Sequence, residues 1–134
     1  PGTPFAYSYD AVGNRTSKTV GAVTEPYTYS STSNRVATVG SRSFMFDANG
    51  STTADGNNSY PHDVRGRMVQ ATSALGATNY RVNALGQRIR KTNSLGDTVF
   101  NYDTNGRLIA ESDPGGGVKR EILYLGDIPV GVVQ

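Results

Sequence analysis

Apolar and aromatic residues come at alternate positions in short bursts along most of the chain, and Gly, Asn, Asp or Pro comes after each burst. A period of two places alternate side chains on one face of a strand. Tyr7-Ser8-Tyr9, Tyr27-Thr28-Tyr29, Phe44-Met45-Phe46 and Phe100-Asn101-Tyr102 are the clearest bursts, while Tyr80-Arg81-Val82 and Tyr60-Pro61-His62 keep one ring of the pair. No stretch carries an apolar stripe at helical spacing over the roughly 11 residues a helix would need. The pattern predicts an all-β chain: an antiparallel up-and-down meander of about a dozen short strands with almost no helix.

The residues after each burst repeat as well. The position after the second ring is Asp10, Ser30, Asp47, Asp63, Asn83 and Asp103 in turn, in steps of 20, 17, 16, 20 and 20 residues. An Asp or Asn there opens a four-residue turn, because its side-chain oxygen accepts a backbone N–H two residues on. Three residues later stand Gly13, Gly50, Gly66, Gly86 and Gly106, which supply the positive φ of a type I turn followed by a glycine bulge. Looser Gly-containing turns at Ala74-Leu75-Gly76, Ser94-Leu95-Gly96 and Asp113-Pro114-Gly115 bring the chain back. Each unit of about 20 residues is therefore a hairpin. The units lie near 5–24, 25–42, 43–59, 60–78, 79–98 and 99–120, with a partial one at 121–134, in a single repeat region over 1–134. A sheet this long must curl, which predicts a curved strip.

The structural residues expected from this pattern fall into two sets. The turns rest on Asp10/Gly13, Asp47/Gly50, Asp63/Gly66, Asn83/Gly86 and Asp103/Gly106. The packing face rests on Tyr7, Tyr9, Tyr27, Tyr29, Phe44, Phe46, Tyr80, Phe100 and Tyr102. The second unit lacks both the turn Asp and the Gly. Pro61 stands inside the fourth aromatic burst, where it marks an edge, a bulge or a break, since Pro cannot donate to a ladder.

Candidate chemistry is sparse. There is no Cys and one His, so a transition-metal site has almost no ligands to draw on. His62 has no evident catalytic partner, and Asp63 beside it points to the opposite strand face. Asp47-Ala48-Asn49-Gly50 and Asp103-Thr104-Asn105-Gly106 superficially match a calcium loop, but Gly stands fourth rather than sixth and no Glu closes the loop. Turn capping is the better reading. The chain shows no nucleophile elbow, phosphate loop or dinucleotide fingerprint. The expectation is a non-catalytic chain with no cofactor and no metal.

Arg recurs after the turns at 15, 35, 67, 88 and 107, expected to pair with Asp or cover rings rather than form a binding row. Net charge is +2 with scattered basic residues, which argues against nucleic acid. No apolar run approaches the roughly 18 residues of a membrane span. Pro1-Gly2-Thr3-Pro4 reads as a cut inside a longer chain.

Repeated Tyr-x-Tyr-Asp-x-x-Gly-Arg-Leu units resemble the YD repeats of bacterial Rhs proteins, the related insecticidal Tc toxin subunits and animal teneurins. The stretch from Tyr80 to Gln134 resembles the C-terminal part of the Rhs repeat region. It includes Asn83-Ala84-Leu85-Gly86-Gln87-Arg88, Tyr102-Asp103-Thr104-Asn105-Gly106-Arg107-Leu108 and Tyr124-Leu125-Gly126-Asp127-Ile128-Pro129-Val130.

The resemblance implies a β-strip spiralling into a hollow shell around a variable C-terminal toxin domain, exported by a bacterium to the cell surface or beyond. It implies self-cleavage at Asp residues of a downstream segment; Asp113-Pro114 only faintly resembles such a site and is expected to be a turn. The expected partners are the remainder of the parent polypeptide and its toxin domain, with self-association through exposed edge strands as a further expectation. The alternative function is a carbohydrate- or cell-surface-binding β-module, since exposed tyrosines stack on sugars.

Overall fold

The computed structural model describes residues 2–134, and among them it has 13 strands and no helix. The chain divides into two compact units, one ending at Ser59 and the other beginning at Tyr60. The first unit is a six-stranded sheet made of β1 (Phe5–Tyr9), β2 (Arg15–Val20), β3 (Val23–Tyr29), β4 (Val36–Val39), β5 (Arg42–Phe46) and β6 (Thr52–Asp55). The second is seven-stranded, with β7 (Gln70–Ser73), β8 (Gly76–Val82), β9 (Arg88–Asn93), β10 (Gly96–Tyr102), β11 (Leu108–Ser112), β12 (Val118–Leu125) and β13 (Ile128–Val133). Within each sheet every strand pairs antiparallel with its sequence neighbours, so both are meanders.

Two kinds of connection alternate. At one end stand the turns opened by Asp10, Asp47, Asp63, Asn83 and Asp103. At the other stand two-residue loops such as Gly21-Ala22, between the paired residues Val20 and Val23. Gly21 has φ +60°, the first-position conformation a type II′ hairpin demands.

A second irregularity recurs after each turn. The register slips opposite the second ring of the burst: between Ser8 and Tyr9, Thr28 and Tyr29, Met45 and Phe46, Arg81 and Val82, Asn101 and Tyr102, and Leu123 and Tyr124. Each slip is a β-bulge, which bends the strand and adds right-handed twist. Curvature is therefore built into each repeat at the same height, instead of accumulating only from ordinary sheet twist.

Pro61 falls in the break between the sheets. From Gly56 to Val69 the pairing shrinks to the isolated bridges Ala54–Ser59 and His62–Met68, and the Pro61 carbonyl accepts the Val69 N–H at 2.9 Å. Asp113-Pro114-Gly115-Gly116, grouped by sequence with the loose return turns, instead takes the full Asp-turn geometry at the opposite end of the sheet. Asp113 O accepts Gly116 N at 3.1 Å, and Asp113 Oδ1 accepts the N–H groups of Gly115 and Gly117. Proline is compatible here because the second turn position prefers its fixed φ and needs no donor.

The interior is thin. Val39, Phe100 and Ser112 are buried, and most other strand residues are half-covered by neighbours on the same face. Stability must then come from repeated local contacts, which the turns and rings supply.

Candidate functional site

The turn is the first recurrent site. At Asp103 the carbonyl accepts Gly106 N at 3.0 Å, and its own N–H donates to Arg107 O at 3.0 Å. Its Oδ1 accepts the N–H groups of Asn105 and Arg107, both at 2.9 Å. Gly106 sits at φ +84°, where an L side chain is strained. The same four bonds form at Asp10, Asp47, Asp63, Asn83 and Asp113. One side chain thus satisfies two backbone donors in each of six turns.

The residue four places on closes a clasp. Arg67 Nε donates to Asp63 Oδ2 at 2.8 Å and Arg107 Nε to Asp103 Oδ2 at 2.6 Å. Asn14 Nδ2 does the same for Asp10 at 3.0 Å, and with the polarity reversed Asn83 donates to Gln87 Oε1 at 2.7 Å. The clasp side chain then reaches the next turn at its end of the sheet. Asn14 donates to Asn34 Oδ1, Arg67 Nη1 to the Asn83 carbonyl, and Arg107 Nη1 to the Gly126 carbonyl and Asp127 Oδ1. Neighbouring hairpins are tied turn to turn.

Asp10, Asp47, Asp63 and Asp103 titrate low. The Arg67 guanidinium, helped by the Arg67 and Arg65 N–H groups, holds Asp63 down at about 2. The Arg107 N–H and then its guanidinium lower Asp103 against partial desolvation, and the Ser51 N–H is the main cause at Asp47. Such groups stay ionised and saturated with donors, which makes them poor proton acceptors and good anchors.

The rings form the second site. Arg15 lies 4.6 Å from the Tyr7 centroid and 5.7 Å from that of Tyr27; Arg88 lies 5.7 Å from Tyr80 and 4.5 Å from Phe100. Each guanidinium is sandwiched between the first rings of successive units. The second ring has another task when it is tyrosine. Tyr29 donates its hydroxyl to the Arg15 carbonyl at 2.7 Å, Tyr102 to Arg88 at 3.0 Å and Tyr124 to Leu108 at 3.0 Å. In all three cases the acceptor is the carbonyl of the bulged stretch in the preceding repeat. Phe44 and Phe46 have no such hydroxyl; Arg42 and Arg35 lie 5.9 and 5.7 Å from their respective centroids. Tyr9, on the edge strand β1, is 57% exposed.

The arginine series therefore splits. Arg15 and Arg88 pair opposite the second burst position and stack on rings, whereas Arg67 and Arg107 stand one residue earlier and clasp Asp, Arg107 lying also 5.3 Å from the Tyr124 centroid. The offset from the turn Gly, adjacent in Gly66-Arg67 and Gly106-Arg107 but one residue further in Gly13-Asn14-Arg15 and Gly86-Gln87-Arg88, is the signal that separates them. Arg90 with Asp97 is a further pair, across β9 and β10, that the repeat pattern did not single out.

Among the described residues, no group of three His, Cys, Asp or Glu side chains is placed to hold a metal ion. No curated protein matches the chain. A family model does: residues 3–126 match the teneurin YD-shell. With repeating clasps, ring-stacked arginines and a match over nearly its whole length, the chain belongs to the teneurin YD-shell family and is a stretch of YD-repeat shell, a structural module.

Proposed function

We propose that the chain is part of the wall of a bacterial Rhs-type shell that encloses a C-terminal toxin domain and carries it out of the producing cell. The supporting observation is the tie between hairpins, in which clasp, ring and tyrosine hydroxyl each bind the neighbouring repeat. A wall needs this kind of contact, because every repeat must hold the next without a deep core of its own. The exposed apolar side chains of β12 and β13, among them Leu125, Ile128, Val130 and Val132, are surface that further chain would cover. The remainder of the parent polypeptide and its toxin domain are the partners in this reading.

Limited proteolysis of the full-length product tests it. A domain following the repeats should resist protease in the native protein and become sensitive once the repeats are unfolded. Sensitivity in the native protein would sink the enclosure. A second reading, a carbohydrate-binding or cell-surface-binding face, is favoured by Tyr7 and Tyr9 on the edge strand, 45% and 57% exposed. Glycan binding lost on Tyr9→Ala would support it.

A further inference from the structure

The second turn breaks the pattern in a way that leaves a charge uncompensated. Ser30 stands where the other turns have Asp or Asn, and the loop is one residue longer. The Ser30 N–H donates to the Arg35 carbonyl at 3.0 Å, whereas Asp10 closes on Asn14 and Asp63 on Arg67. The extra residue shifts the register, so Val36, not Arg35, pairs opposite Tyr29. Although Asn34-Arg35 looks like Asn14-Arg15 in sequence, Arg35 is the structural counterpart of the clasp residues Arg67 and Arg107. Like them it reaches towards the next turn: its Nη2 lies 2.6 Å from where a Cβ on Gly50 would sit.

Arg67 and Arg107 each meet a carboxylate, and Arg35 meets none among the described residues. In that place an open cavity of about 400 Å³ is lined by Ser30, Thr32, Ser33, Arg35, Phe44 and Phe46. Ser30 Oγ accepts the Thr32 N–H and Ser33 Oγ the Arg35 N–H, both at 3.3 Å. Ser33 has accepted a bond and keeps its own proton for donation, and the Ser30 and Thr32 hydroxyls, 3.2 Å apart, share one proton and leave the other free. The cavity thus gathers a guanidinium, hydroxyl donors, two aromatic rings and no acidic group.

We propose that the second turn is an oxyanion site. Arg35 and the turn hydroxyls take the phosphate, sulfate or carboxylate group of a small molecule in the space that other turns give to Asp, and the body of the ligand rests against Phe44 and Phe46. Charge-assisted bonds from a planar guanidinium suit such groups. Exposure of the site to solvent sets the affinity at about the millimolar level. The site is independent of what the shell encloses.

Amide-resolved NMR titration of the chain with glucose 6-phosphate, glucuronate, inorganic phosphate and glucose tests the proposal. The two sugar anions should produce saturable shifts confined to residues 30–36 and 44–46, and inorganic phosphate should bind the same residues more weakly. Glucose should shift nothing. Comparing the phosphate and carboxylate arms identifies which oxyanion is preferred. Arg35→Gln should weaken binding about tenfold or more. Ser30→Asp, which restores the repeat's own anion, should abolish binding while the melting temperature holds or rises. The control Arg81→Gln, at an exposed arginine on β8, should change nothing. Shifts with glucose equal to those with the anions, no saturable shift with any anion, equal loss in Arg81→Gln, or undiminished binding in Ser30→Asp would each overturn the assignment.

Discussion

The two units carry the same repeat and hold it with different chemistry. In the second, the five ion pairs Arg67–Asp63, Arg90–Asp97, Arg107–Asp103, Arg107–Asp127 and Arg120–Glu111 lace turns and strands together. The first has no ion pair among its described residues and relies on Asn14 in the clasp position, paired threonines at Thr19–Thr24 and Thr28–Thr38, and arginines stacked on Tyr7, Tyr27, Phe44 and Phe46, a stacking the second shares at Tyr80, Phe100 and Tyr124. Both retain the backbone bonds of the Asp turn and the bulge opposite the second ring. Backbone geometry therefore defines the unit, while the clasp varies: ionic in some repeats, amide in others and missing at Ser30, where the loop is longer, and at Asp113, where Gly117 has no side chain to supply one.

Rings give the sharpest way to break that comparison, because equal arginine contacts occur at unequal burial. Arg15 sits 4.6 Å from Tyr7 and Arg88 sits 4.5 Å from Phe100, yet Tyr7 is 45% exposed and Phe100 only 7%. Phe100→Ala should cost about 3 kcal/mol, the range for emptying a buried aromatic site. Tyr7→Ala should cost about 1 kcal/mol, since little apolar area is removed from water there. Urea unfolding followed by circular dichroism measures both. Equal losses would mean that stacked guanidinium, and not burial, carries the ring column. Next in size is the turn itself: Gly106→Val should lose about 1–3 kcal/mol, as a β-branched residue resists positive φ. Its Cβ would also press to 3.2 Å from Gln87 Nε2. An unchanged urea midpoint would remove the backbone from its place as the shared feature of both units.

How much of this could be read beforehand depends on which interactions are local. Alternating rings and Asp-to-Gly spacing are local, so the all-β meander and the positions of the bends stand openly in the sequence. The bulge opposite Tyr9 or Tyr102 is not visible there, because it depends on the partner strand having one residue more. The same one-residue count decides whether an arginine stands in the place that clasps Asp, and it disguised Arg35: the lengthened loop moves it from the apparent place of Arg15 to that of Arg67. Asp113-Pro114-Gly115-Gly116 reads as a turn in the sequence, but its full Asp-turn geometry hid for another reason. Its aromatic burst is absent, since Ala110-Glu111-Ser112 precedes it, and a pattern keyed to rings groups with the looser turns one whose own four residues are sufficient for the Asp geometry.

The smallest expected effect separates ionic from amide clasps directly. Asp63 titrates near 2 in the folded chain, well below the ordinary aspartate value of 3.8. A folded-state value depressed in this way stabilises the fold above the unfolded value and loses that contribution as pH falls from about 4 towards 2. Asp63→Asn removes the titration but keeps the turn, as Asn83 does with its own Oδ1 bonds. Melting temperature measured from pH 5 to pH 2 should therefore fall less steeply in Asp63→Asn than in the parent chain. Asp10→Asn should flatten the curve less: at Asp10 partial desolvation, which raises the carboxyl, is outweighed by hydrogen bonds from Asn14, Val12 and Gly13, with no guanidinium partner. Adding salt near pH 5 sharpens the distinction. Screening should narrow the gap between Asp63→Asn and the parent and leave the Asp10 gap nearly unchanged, since the Asp63 pair is partly exposed and ionic on both sides. Parallel pH curves for all three chains would show that the guanidinium clasp adds nothing the turn amides do not already supply.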